Sequence, residues 1–140
     1  MPETTPQLPP LTIAQRFRLL EIARDALTSQ IRRSVRMVVT ETEPRLLMKQ
    51  GVFVTLMLGD RVRGCIGDVD GHGPLAFAVA EVVVSAAYDD PREAPLRLDE
   101  VGRVEIELSV LSRRTLTRWQ DVEVGKHGVV LQRDRSVGLL

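Results

Sequence analysis

From Ile13 onward, apolar residues recur at helical spacing. Ile13, Phe17, Leu20, Ala23, Leu27 and Ile31 form one stripe, with Arg18, Glu21 and Asp25 off it, so a helix is predicted there. Thr12 and Gln15 fit a capping box at its start. Arg32, Arg33 and Arg36 suit its C-terminal end electrostatically. Before it, residues 1–11 are rich in Pro and Thr and predict a flexible arm. The period then shortens to two. Val52, Val54, Leu56 and Leu58 alternate with Phe53, Thr55 and Met57, and Gly59-Asp60 supplies a two-residue turn, so residues 51–70 predict a hairpin. A dense run of turn residues follows, Asp68 to Pro74. From Leu75 to Tyr88 only Glu81 and Ser85 are clearly polar, which predicts a helix packed on most sides, stopped by Asp89-Asp90-Pro91. Val104, Ile106, Leu108 and Val110 alternate with Arg103, Glu105, Glu107 and Ser109, a half-buried strand. Trp119 heads a short amphipathic stretch, and Gly125-Lys126-His127-Gly128 turns into a last strand, Val129 to Gln132. The order helix, hairpin, helix, strand, strand predicts an α+β fold with a mainly antiparallel sheet. Val137-Gly138-Leu139-Leu140 is apolar and reads like the start of a further element.

Composition narrows the classes. A chain of 140 residues is expected to form one domain and can bury a real core. Lys+Arg and Asp+Glu balance at 19 each, so overall charge gives no support for a nucleic-acid or membrane-surface protein. One cysteine excludes an internal disulfide framework and a zinc site built from cysteine pairs. The start MPETTPQLPP lacks a signal-peptide pattern, and no apolar run approaches the ~18–20 residues that span a bilayer. The expectation is a soluble cytoplasmic protein that needs no cofactor and no metal.

The single cysteine stands in Val62-Arg63-Gly64-Cys65-Ile66-Gly67. Glycine inside a strand marks a bulge or a close approach to the backbone. Cys65 is therefore a candidate nucleophile or redox thiol. On a regular strand Arg63 shares its face, and a nearby cation favours the reactive thiolate. A base is also needed, and His72 and His127 are the two histidines. The blander reading makes Cys65 a small buried hydrophobe, and spacing alone favours it. Asp68, Asp70 and His72 alternate like metal ligands, but Gly71 and Pro74 explain the cluster as a turn. Glu105 and Glu107 share a strand face that reads as solvated. Glu81, on its apolar helix, either occupies an unusual environment or faces water. No phosphate-loop glycine pattern is present, and aromatics at 4% argue against a base-stacking platform.

Several of these motifs, in this order, resemble the AMMECR family, whose bacterial and archaeal members are called AmmeMemoRadiSam system protein A. VRGCIG is similar to the family's Leu-Arg-Gly-Cys-Ile-Gly signature. Gly51 to Leu56 resembles the strand before it. Ala86 to Arg92 resembles its helix end and Asp-Pro-Arg turn, Val104 to Ser112 its strand ending in Val-Leu-Ser, and Gly125 to Gly128 its Gly-x-His-Gly turn. The likeness runs from about Thr12 to Leu140, so residues 12–140 are expected to form an AMMECR-type domain. The resemblance implies a two-part α+β domain and partners among radical-SAM and Memo-like proteins. Its candidate site residues are Arg63, Gly64, Cys65, Ile66 and Gly67, followed by Asp90, Arg92 and His127. Two departures stand out. Glu93-Ala94-Pro95 replaces the family's Phe-Pro-Pro, and members continue for dozens of residues past the match to Val137–Leu140, so the domain is expected to be C-terminally short.

Three functions follow from these readings. One is a thiol-dependent enzyme or enzyme component using Cys65, Arg63 and His127. A second is a non-catalytic domain docking a radical-SAM or Memo-like partner through the glycine-flanked segment. The third, a nucleic-acid accessory protein using Arg32, Arg33 and Arg36, is the weakest on charge and aromatic content.

Overall fold

A computed structural model describes residues 5–140. These divide into two compact units: Gln7–Arg113, and Arg114–Leu140 together with Thr5 and Pro6.

The larger unit opens with helix α1, Ile13–Arg33. Its start is the predicted capping box: Gln15 N–H donates to the Thr12 hydroxyl, and the Gln15 side chain accepts from Thr12 N–H. Ser34, in the left-handed conformation, ends it. The buried face differs from the predicted stripe. Leu19, Ile22, Ala23, Ala26 and Leu27 face the core, whereas Ile13 and Phe17 are exposed at 73% and 65%. Two apolar stripes overlap on this helix and share Ala23 and Leu27, and tertiary packing selected the other one.

A 3₁₀ turn at Pro44–Leu47 precedes the hairpin of β1, Val52–Leu58, and β2, Arg61–Asp68. Helix α2 spans Leu75–Tyr88, with Pro74 at its N-cap, and β3 spans Glu105–Val110. The three strands form an antiparallel sheet in the order β2-β1-β3, leaving β2 at an edge. Val52, Val54 and Leu56 are fully buried on one face of β1, where α2 packs. Each contributes on the order of 1.5–3 kcal/mol by leaving water. Ile106, Leu108 and Val110 extend this face from β3. Helix α1 packs on α2 and against β3. The other face carries Phe53, Thr55 and Met57 with Glu105, Glu107 and Ser109, so the solvated reading of the two glutamates holds.

The predicted arm at residues 1–11 falls partly outside the described residues. Gln7 exchanges two hydrogen bonds with the backbone of Arg113, and Pro9 C=O accepts from Arg45 Nε at 2.7 Å. Within the smaller unit, a 3₁₀ turn at Trp119–Asp121 is followed by β4, Val130–Arg133, and β5, Ser136–Leu139, paired antiparallel. The apolar end of the chain therefore completes a hairpin, turning at Asp134, which adopts a positive φ of 55°. No helix among the described residues is long and apolar enough to cross a membrane.

Candidate functional site

The hairpin register decides where the cysteine points. Leu58 pairs with Arg61 and Met57 with Val62, but Leu56 pairs with Gly64. Arg63 is thus an extra residue, a β-bulge. Without it, Cys65 would face Val54 on the buried side. With it, Cys65 pairs with Thr55 and turns to the outer face, because a one-residue slip exchanges the faces of a strand. Cys65 is half-buried there, and the Thr55 hydroxyl donates to its sulfur at 3.3 Å.

The bulge also redirects Arg63. Its guanidinium is 4% exposed, and it spans Glu100 with Nε–Oε1 at 2.9 Å and Nη2–Oε2 at 2.8 Å. Ala94 C=O, Pro95 C=O and Glu93 accept its remaining donors. The segment that replaces the expected Phe-Pro-Pro therefore supplies acceptors to a buried arginine. Arg63 and Arg97 N–H hold Glu100 down at about 2, and Glu100 raises the Arg63 guanidinium in return. The shared face expected for Arg63 and Cys65 gives way to this arrangement: the arginine ties β2 to the loop after α2.

The cation beside Cys65 is Arg92. Asp90 Oδ2 accepts from Cys65 N–H at 2.9 Å, and Arg92 Nη2 donates to Cys65 C=O at 3.1 Å. Asp90 and Arg92 are themselves joined, by Nε–Oδ1 at 3.0 Å and Nη2–Oδ2 at 2.9 Å. In a non-hydrogen-bonded antiparallel pair the backbone groups point away from the partner strand while the side chains come close. Cys65 fits that description. Its outward N–H and C=O lie on the open edge of the sheet, and the Asp90–Arg92 fork satisfies both as a neighbouring strand would. The Asp-Pro-Arg turn at the end of α2 positions this fork. The Arg92 side chain, followed by the backbone N–H groups of Arg92 and Cys65, holds the buried Asp90 well below the usual carboxylate range. Asp90 above all, and Cys65 to a smaller degree, hold the Arg92 guanidinium above its ordinary value.

Both glycines of the signature serve packing. A Cβ on Gly64 would lie 1.8 Å from Ala86 O, so α2 sits directly on the strand backbone. A Cβ on Gly67 would lie 2.3 Å from the Phe53 ring, which covers this position from β1. Ile66 packs against the core between them.

The remaining candidates have partners of their own. The ring and N–H of His72 bond Asp68, which also accepts from Asp70 N–H, as a turn requires. His127 belongs to the smaller unit, where Nδ1 accepts from Glu123 N–H. Glu81 is exposed and pairs with Arg36. Arg32 and Arg33 lie exposed at the end of α1. The sequence reading missed Thr55 and Glu100. The hairpin pattern gives Thr55 a partner only once the bulge is known, and Glu100 had no local signal.

Comparison with known proteins identifies the family. The AMMECR1 family model matches residues 20–140. The chain belongs to the AMMECR1 family. Protein MK0488 of Methanopyrus kandleri is 34% identical over 140 residues, covering 93% of this chain and 68% of that protein. A protein of Pyrobaculum islandicum is 33% identical, covering 94% and 64%. The crystal structure of Uncharacterized Protein PH0010 from Pyrococcus horikoshii superposes with a TM-score of 0.80 at 30% identity, covering 87% of this chain and 66% of that one. This AMMECR1-family chain thus spans about two thirds of the length of these relatives, and its α+β fold is that of the solved neighbour.

Proposed function

We propose that this AMMECR1 domain works through the Cys65 thiol, as a component of an AmmeMemoRadiSam-type system, with Arg92 as the neighbouring cation. One observation carries the reading: the Asp90–Arg92 fork immobilises the backbone of Cys65 on both sides, while the bulge turns its sulfur outward beside the Thr55 hydroxyl. A thiol that served only as filler would sit on the Val54 face. A fixed backbone and an adjacent guanidinium are what a reactive thiol needs for orientation and for charge. The reading predicts fast, pH-dependent alkylation of Cys65 by iodoacetamide in the folded protein, slowed in Arg92→Gln. A thiol that reacts only after denaturation, with the rate set by unfolding, would sink it.

A docking role is the second reading, favoured by the partly exposed Phe53, Met57 and Val62 around Cys65 on the outer face. Gly64 and Gly67 are unsuitable probes of docking, since both are needed for packing. Val62→Asp should instead abolish pull-down of a radical-SAM or Memo-like partner, and Cys65→Ser should leave it intact. Absence of any association with either protein removes this reading.

A further inference from the structure

Arg45 lies far in sequence from the cysteine signature, and its surroundings are incomplete. It sits on the 3₁₀ turn at Pro44–Leu47 and is 8% exposed. Nε donates to Pro9 C=O, and Nη2 donates to Gln50 Oε1 at 2.9 Å; Gln50 in turn donates to Leu111 C=O. Both acceptors of Arg45 are neutral. Among the described residues no carboxylate comes within 4.0 Å of its guanidinium, and Nη1, fully buried, has no hydrogen-bond partner. A guanidinium stays protonated in proteins, so this is a buried positive charge without a counter-charge. Such groups are costly unless something pairs with them. Burial first, then the charge of Arg113, pulls the Arg45 guanidinium below its ordinary value.

Arg45 lines a cavity of about 320 Å³, near the lower end of the range for small-molecule sites. Arg16 and Gln50 are its other polar side chains of note, and Pro10, Leu108 and Val110 give it apolar walls. We propose that this cavity binds a small organic anion, a carboxylate or phosphate monoester with a short apolar body. Its charged group neutralises Arg45, helped by Arg16, and its apolar part lies against Leu108 and Val110. Nη1 has no solvent contact, so the anion meets it only with a small movement of the wall. Leu8–Leu11, which forms part of that wall, has no regular secondary structure.

The test uses the whole chain and defined probes. Sodium hexanoate and phenyl phosphate should each raise the thermal midpoint by several degrees and saturate. Hexanamide, and sodium chloride at equal ionic strength, should not. A larger response to hexanoate identifies the carboxylate class, and a larger response to phenyl phosphate the phosphate class. By calorimetric titration, Arg45→Met should weaken the better probe roughly 10- to 100-fold, the range for hydrogen bonds to a charged group. If Arg45→Met does not fold, Arg16→Ala, on an exposed residue, should still weaken binding several-fold. The proposal is overturned if neither anion exceeds the salt control. It is also overturned if affinity survives unchanged in the folded variants.

Discussion

Replacing Glu100 by Gln tests the buried pair that holds the bulge in place. The substitution keeps the shape of the side chain but removes the charge that faces Arg63. Glu100 is 8% exposed, and its carboxyl is held at about 2 against an ordinary 4.5. At about 1.4 kcal/mol per pH unit, its ionised form is favoured in the fold by about 3 kcal/mol. The variant also strands a guanidinium that is 4% exposed, and breaking a buried pair from one side costs ~3–5 kcal/mol. Glu93 compensates only in part, since it reaches a single nitrogen of Arg63 at 3.5 Å. The expected loss at neutral pH is therefore about 3 kcal/mol, or roughly 10 °C in Tm for a chain of this size. The pH dependence has a definite sign. The folded protein binds the Glu100 proton less tightly than the unfolded chain, so this contribution is complete above about 4.5 and is lost as pH falls toward 2. Urea unfolding of wild type and variant at about pH 7 and about pH 3 measures both quantities. A loss below about 1 kcal/mol at neutral pH, or a gap that does not narrow in acid, would refute the reasoning.

Other consequences follow from the same geometry. Gly64→Ala drives a methyl into Ala86 O and should cost at least ~3 kcal/mol, at the upper end of overpacking effects, read by urea denaturation. Gly67→Ala displaces the Phe53 ring and should cost less, ~1–3 kcal/mol, because a side chain and not a helix backbone has to move. Asp90→Asn should raise hydrogen exchange at Cys65 N–H, because a neutral amide oxygen accepts that hydrogen bond and holds Arg92 more weakly than a carboxylate does. Thr12→Ala removes one half of the capping box and should lower stability by about 1 kcal/mol.

Much of the fold was legible in the chain, because local chemistry determines local structure. The Thr12–Gln15 cap, the Gly59-Asp60 hairpin, the apolar helix at Leu75–Tyr88 and the alternating strand at Glu105–Val110 all rest on contacts within a few residues. The family resemblance also singles out Asp90 and Arg92 as candidates, and the structure places both against the backbone of Cys65. The buried stripe of α1 differs from the predicted one because its sequence allows two apolar faces, and only the position of α2 and the sheet chooses between them.

The face of Cys65 is the clearest case of a tertiary decision. A two-residue turn and strict alternation put it opposite Val54, inside. One extra residue at Arg63 moves it opposite Thr55, outside. That residue is stable as a bulge because Glu100, 37 positions away, fixes its guanidinium and because Gly64 lets α2 approach the strand backbone. The sequence by itself determined that a glycine-framed cysteine lies on a hairpin strand. Packing, through a long-range ion pair and a close helix contact, decided that the thiol faces outward with Arg92, and not Arg63, as its cation.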